Sequence, residues 1–111
     1  MRIQTQDYNE VTVIELQGDL ESDFCELLKK TVSDIISRGQ NGIALDMNGV
    51  GFIDSEGLEL LLWAGDYCRD NKCELRLAGL DENCETILKI TRIADEFDCY
   101  SGLSEAVRSF A

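Results

Sequence analysis

The segment from Ile43 to Leu62 limits the possible folds most strongly, because it reads as a buried strand followed at once by a helix. Ile43 to Met47 is an apolar run of strand length, and Asn48 to Gly51 contains two glycines that favour a turn. A helix is predicted to open at Ser55. This order is typical of α/β folds, in which unpaired N–H groups at a helix start can receive an anion or a partner.

The remaining periodicity predicts elements in the order ββαβαβαβα. The predicted strands are Arg2 to Asp7, Val11 to Gln17, Ile43 to Met47, Glu74 to Gly79 and Phe97 to Tyr100, and the predicted helices begin at Glu21 or Ser22, Ser55, Asp81 and Ser101. We therefore expect one α/β domain over residues 1–111, with a mixed sheet of four to five strands. The first two strands should be antiparallel, and right-handed crossovers should join the later ones.

Within the predicted strands, Glu15, Asp46 and Arg76 are charged and lie out of phase with their apolar neighbours. A sheet buried on both faces rarely tolerates such residues. We therefore expect helices mainly on one face. The other face should be partly wet, with Arg76 paired to an acid across strands.

The composition is strongly acidic, with 22 acidic and 10 basic residues, a net charge of -12 and a pI near 4.2. This charge argues against binding to nucleic acid or to anionic membranes and favours a partner with a basic face. The N-terminal segment lacks the pattern of a signal peptide, and no apolar run approaches the roughly 20 residues that span a bilayer. We therefore expect a cytoplasmic protein without membrane insertion.

The five cysteines form no C-x-x-C pair, and the chain has no histidine. They are predicted to be mostly small core residues in a reducing compartment, with a redox or metal role as the alternative. No cofactor is expected.

Known catalytic motifs fail at the central segment. Asp54 stands where a dinucleotide fingerprint needs its third glycine, and no Gly-Lys-Ser or Gly-Lys-Thr phosphate loop occurs. Ser55 as a nucleophile would lack a histidine base, and Ile53 replaces the first glycine of G-x-S-x-G. We predict that the chain is not an enzyme.

Two features of the central helix keep structural and functional interpretations open. Ser55 could be a helix cap worth about 1 kcal/mol, and the adjacent acids Asp54 and Glu56 could simply complement the helix dipole. The helix also carries two apolar stripes. One comprises Leu58, Leu61, Leu62, Gly65 and Cys68, and the other Leu60, Trp63, Ala64 and Tyr67. The second stripe either packs between layers or awaits a partner.

The central residues form a recognisable pattern: Leu45-Asp46-Met47, Gly49-Val50, Phe52-Ile53-Asp54-Ser55, Gly57-Leu58 and Leu61-Leu62, with Gly18-Asp19-Leu20 earlier in the chain. This pattern resembles the STAS domain, the fold of bacterial anti-sigma factor antagonists. The resemblance implies that a partner kinase, which is also the anti-sigma factor, phosphorylates Ser55. The unmodified form would bind that kinase, and a phosphatase would reset it.

The resemblance also implies a partner-binding surface, and we assign to it Asp19, Glu21, Asn48, Asp54, Glu56, Gly57, Leu60 and Trp63. The chain departs from the family pattern at three positions: Glu21 replaces aspartate, Glu56 replaces a small residue, and Arg92 replaces a glycine. A weak homodimer is a further expectation. Two alternatives remain open. One is an unphosphorylated STAS scaffold in a signalling or transport complex, and the other is a nucleotide- or small-ligand-binding domain.

Overall fold

Five strands form one mixed sheet whose spatial order, β1-β2-β3-β4-β5, follows the order of the chain. The structure, a computed structural model, describes residues 2–110. The strands are β1 (Arg2–Tyr8), β2 (Val11–Gln17), β3 (Gly42–Gly49), β4 (Glu74–Ala78) and β5 (Asp98–Tyr100). β1 and β2 are antiparallel and the other pairs are parallel, which confirms the predicted mixed α/β sheet.

The helices follow the predicted order. They are α1 (Ser22–Ser37), α2 (Ser55–Asp70), α3 (Glu82–Ile90) and α4 (Leu103–Arg108), with a short 3-10 turn at Ala94–Glu96. α4 is shorter than the predicted Ser101 to Ala111, because the backbone is extended at Gly102 and the helix ends at Arg108, with Ser109 as its C-cap. Ala111 lies outside the described residues.

One face of the sheet carries the main core. Each crossover from β2 to β5 advances the chain to the next strand, and right-handed crossovers in one direction place their helices on the same face. The buried residues on this side come from the sheet and from α1, α2 and α3, and they include Ile14, Leu16, Phe24, Leu28, Val32, Ile43, Leu45, Met47, Leu61, Leu77, Cys84 and Leu88.

The opposite face is covered in part by α4, where Ala106 packs in a small cluster with Ala44 and Ala78. Arg76 also lies on this face, and its guanidinium stacks 4.0 Å from the ring centre of Phe110. Its ion pair is with Glu74, at 3.0 Å between Nη1 and Oε2. The prediction of a partner across strands is therefore wrong, because Glu74 is two residues earlier on the same strand and shares its face.

Two helices end with a residue in the left-handed conformation. Lys72 follows α2 with φ of 58°, and Arg92 follows α3 with φ of 62°. After each, a backbone N–H reaches back to the last turn, from Cys73 to Cys68 O at 2.8 Å and from Ile93 to Leu88 O at 3.0 Å. This geometry favours glycine, so Lys72 and Arg92 each hold a backbone conformation that is costly for a residue with a Cβ.

The cysteines are free thiols, and Cys68, Cys73 and Cys84 are buried. Within residues 2–110, no cluster of cysteine and acidic side chains has the arrangement of a metal site. In the same part of the chain, none of the helices is long and apolar enough to cross a membrane.

Candidate functional site

The loop between β3 and α2, residues 50–54, is tied to two neighbouring segments of the chain. One is the end of the β2–α1 connection, and the other is the first turn of α3. The hydrogen bonds are Leu20 N to Phe52 O (2.9 Å), Asp54 N to Leu20 O (3.1 Å), Asn83 Nδ2 to Gly51 O (2.8 Å) and Cys84 Sγ to Val50 O (3.4 Å). Backbone and side-chain bonds together therefore fix the loop that presents the start of α2.

Asp54, and not Ser55, caps this helix. Asp54 has an extended backbone, and its Oδ1 accepts a hydrogen bond from the N–H of Gly57 at 2.8 Å. Ser55 is the first helical residue, is exposed, and its hydroxyl makes no hydrogen bond to any residue between 2 and 110. Asp54 thus meets the need for a cap, and the serine hydroxyl remains open to solvent.

Gly57 and Leu60, both assigned to the partner-binding surface from the sequence, lie inside the molecule. A Cβ at Gly57 would stand 2.4 Å from the carbonyl oxygen of Leu20, so only glycine lets α2 approach this closely. Leu60 is 3% exposed. These two residues fix the position of the helix start from beneath and do not offer side chains to a partner.

Phe52 is an exposed aromatic residue that the assigned surface omitted. Its side chain is 45% exposed, whereas Ile53 beside it is 2% exposed and forms a parallel bridge with Leu20. Adjacent residues of an extended segment point in opposite directions. The apolar pair Phe52-Ile53 in a short loop was the sequence signal that one of the two must face outward.

Asp54 and Glu56 flank the exposed serine in the chain, and Asp19 lies beside the loop that precedes it. Asp19 and Glu56 are exposed, Asp54 is half-buried, and the Asp19 carboxylate lies beside Gly51. Their field extends to α1: burial raises the pKa of the Cys25 thiol, and the charges of Asp54 and Glu56 raise that pKa further. The start of α2 is therefore a negatively charged surface.

Two other assigned residues lie close to this surface. Glu21 is the exposed N-cap of α1, and its side chain forms no capping hydrogen bond. Asn48 is exposed at the end of β3, and its Nδ2 donates to Asp46 Oδ1 at 2.7 Å. Asn48 also fills the space in front of Gly79, where a Cβ would stand 2.4 Å from Nδ2. The Asn48 carboxamide is therefore held in place.

The second apolar stripe of α2 divides into a buried part and a surface part. Leu60 and Ala64 are buried, whereas Trp63 and Tyr67 are half-buried and stack with ring centres 4.9 Å apart. Lys29 of α1 lies 5.3 Å from the Trp63 ring centre. Trp63 is eight residues beyond Ser55, or roughly 12 Å along the helix at 1.5 Å per residue. Lys29 and Trp63 line one groove between α1 and α2 together with Glu56, the residue that follows Ser55.

Comparison with known proteins identifies the family. The sequence model of the STAS domain matches residues 2–106. The chain belongs to the STAS domain family. The resemblance found from the central residues is thereby confirmed.

Solved STAS structures share this fold. The domain is similar to a Thermotoga maritima protein described as an anti-sigma factor antagonist, with 23% identity, a TM-score of 0.88 and coverage of 96% and 92% of the two chains. The phosphorylated form of the Bacillus cell fate determinant SpoIIAA is 19% identical, with a TM-score of 0.77 and coverage of 99% of this chain and 100% of that chain. A sulfate transporter family protein from Wolinella succinogenes is 21% identical, with a TM-score of 0.77 and coverage of 90% of this chain and 84% of that chain. At these identities the likeness concerns the fold.

Proposed function

We propose that this STAS domain is an anti-sigma factor antagonist that is switched by phosphorylation of Ser55. Its partners are an anti-sigma factor with serine kinase activity and a phosphatase that resets the serine. The observation that supports the proposal is that capping and exposure fall on two different residues at the start of α2. Asp54 makes the capping hydrogen bond, and Ser55 presents an exposed hydroxyl. A kinase can therefore modify the serine without removing the cap.

Charge explains how the modification would act. A phosphate adds about -1.5 to -2 units of charge at a helix start that already carries Asp54 and Glu56. The helix dipole offsets part of this charge. A partner whose cations are already matched to these carboxylates has no donors left for three further oxygens. The phosphate should therefore weaken the complex.

The proposed contact surface consists of exposed residues at this end of the fold: Asp19, Glu21, Asn48, Phe52, Ser55 and Glu56, with Trp63 at its margin. The acidic residues supply complementarity to a basic partner and speed its encounter. Phe52 supplies an apolar side chain that is exposed to water in the free protein and would be buried against the partner.

Titration calorimetry against the purified anti-sigma factor tests the switch. Ser55→Ala should bind like the wild-type chain, and Ser55→Asp should bind at least about tenfold more weakly, or 1.4 kcal/mol. Ser104→Asp is the matched control, because Ser104 is exposed in the first turn of α4 on the other face of the sheet. Equal affinities of Ser55→Ala and Ser55→Asp would contradict the switch.

A second measurement tests the covalent step. Incubation with the kinase and ATP should add the mass of one phosphate to the wild-type chain and none to Ser55→Ala. An unphosphorylated scaffold is the competing function, and the fold similarity to a sulfate transporter family protein favours it. Equal binding of the partner by chains with serine, alanine or aspartate at position 55 would support the scaffold function.

A further inference from the structure

β1 is an edge strand that lacks most features that keep sheet edges from pairing. It has seven residues, six of them exposed, and its register with β2 is continuous without a bulge. It contains neither proline nor lysine, and its two charged residues are Arg2 and Asp7. Asp7 is already held by Arg38 at 2.9 Å and by Thr12 at 2.8 Å. Long edges of this kind are templates for another strand.

The hydrogen-bond pattern shows which backbone groups of β1 face outward. Glu10 O accepts from Gly42 N, and Gly18 N donates to Gly49 O, so even-numbered residues of the β2 segment bond to β3. The odd-numbered residues therefore bond to β1, and their partners there are Arg2, Gln4, Gln6 and Tyr8. Alternation then leaves the N–H and C=O groups of Ile3, Thr5 and Asp7 pointing away from the sheet.

We infer that two copies of this chain associate through β1, antiparallel and centred on Thr5. In this register Thr5 faces Thr5 of the second copy, Ile3 faces Asp7, and the outward groups of both edges form about six backbone hydrogen bonds. On the other face of the strand, this register places polar and aromatic side chains opposite each other. Gln4 lies opposite Gln6, and Arg2 lies opposite the exposed ring of Tyr8.

Apolar side chains beside the β1 edge also favour a second copy of this chain as the partner. A groove between β1 and α1 has Ile3, Leu27 and Ile35 as its apolar lining, with Asp34 and Arg38 at the same groove, and Leu27 is 52% exposed. The two-fold axis of such a pair is perpendicular to the joined sheet, so both copies place α1 on the same side. The pairing brings the two grooves together and covers Leu27 of each copy.

Charge also favours this edge for self-association. Each copy carries a net charge of -12, yet β1 contains one arginine and one aspartate and is neutral. β1 is thus a surface on which two strongly acidic molecules can approach. The overall repulsion still opposes the dimer, so added salt should strengthen it by screening.

The dimer leaves the Ser55 site free. Two strands separate the β1 edge from β3 and β4, which lie beside α2. Because the paired strands are antiparallel, the two Ser55 sites face opposite ends of the ten-stranded sheet. Each copy could then bind its own partner.

Sedimentation equilibrium tests the inference with variants at one position. Thr5→Pro removes an outward N–H without touching the β1–β2 ladder, and Thr5→Lys places two cations opposite each other at the axis. Both should weaken the dimer at least about tenfold. Thr5→Val keeps the N–H and the β-branched shape and should behave like the wild-type chain. Circular dichroism establishes that each variant is folded.

Amide hydrogen exchange by NMR locates the contact. Protection of Ile3, Thr5 and Asp7 should rise with protein concentration in the wild-type chain, whereas Gln4 and Gln6 should be protected at every concentration. A wild-type chain that stays monomeric up to about 1 mM would overturn the inference. So would a dimer that survives both Thr5→Pro and Thr5→Lys, or protection that appears on another element.

Discussion

Asp54 Oδ1 lies 2.8 Å from the backbone nitrogen of Gly57, and this hydrogen bond caps α2 without using the Ser55 hydroxyl. Asp54→Ala should lower the free energy of unfolding by about 1 kcal/mol, because it removes a helix cap. Ser55→Ala should change it by less than about half of that amount. Urea denaturation measures both values. A loss from Ser55→Ala as large as that from Asp54→Ala would show that the serine has a structural role.

Gly57 tests how closely α2 must approach the β2–α1 connection. Gly57→Ala places a Cβ 2.4 Å from Leu20 O and 2.9 Å from Ile53 Cγ2. This overpacking should cost about 1–3 kcal/mol. The control is Gly65→Ala in the same helix. There the new Cβ would stand 3.4 Å from its nearest neighbour, a ring carbon of Phe97. Alanine there should be neutral or should stabilise the helix by up to about 1 kcal/mol. Equal losses for the two variants in urea denaturation would contradict this account.

Arg92 carries a backbone conformation that a residue with a Cβ adopts at a cost. With φ of 62°, Arg92→Gly should stabilise the domain by about 1 kcal/mol. Lys89→Gly, inside α3, should instead destabilise it by about 1 kcal/mol. Thermal melting of the two variants should therefore move in opposite directions. A lower melting temperature for Arg92→Gly would show that the arginine side chain makes an essential contact.

Cys84 should make the domain sensitive to alkali. Burial, reinforced by the neighbouring Asp81 carboxylate, raises the pKa of its thiol from 9.0 to about 12. Between these values the unfolded chain loses a proton that the folded chain keeps, so stability falls as the pH rises from about 9 to about 12. Cys84→Ala should reduce this fall relative to the wild-type chain in urea titrations at each pH. Identical pH profiles would contradict the prediction.

Much of the fold and part of the site could be predicted from the sequence. The strand at Ile43 and the helix starts after Asp54 and Asp81 carry strong local signals, because apolar periodicity and capping residues act over a few positions. The role of Leu60 could not be predicted this way. Its stripe on α2 has the same periodicity whether it contacts a partner or lies in the core, and only tertiary packing shows that Leu60 is 3% exposed.

The residue that caps α2 was equally ambiguous in the sequence. Aspartate and serine are both favoured caps, and Asp54 and Ser55 are adjacent. The choice depends on where the chain leaves its extended conformation. That point is set by the hydrogen bonds of Leu20 with Phe52 and Asp54, and these residues are more than 30 positions apart in the chain.

The anchoring of residues 50–54 by Leu20, Asn83 and Cys84 has a consequence for recognition. A loop that is already ordered loses little conformational entropy when a protein docks on it. Its affinity can then be adjusted by one local change in charge, without any rearrangement of the backbone. Under the proposed switch, the rate of release would follow the rate of phosphorylation, because the loop needs no slow structural transition.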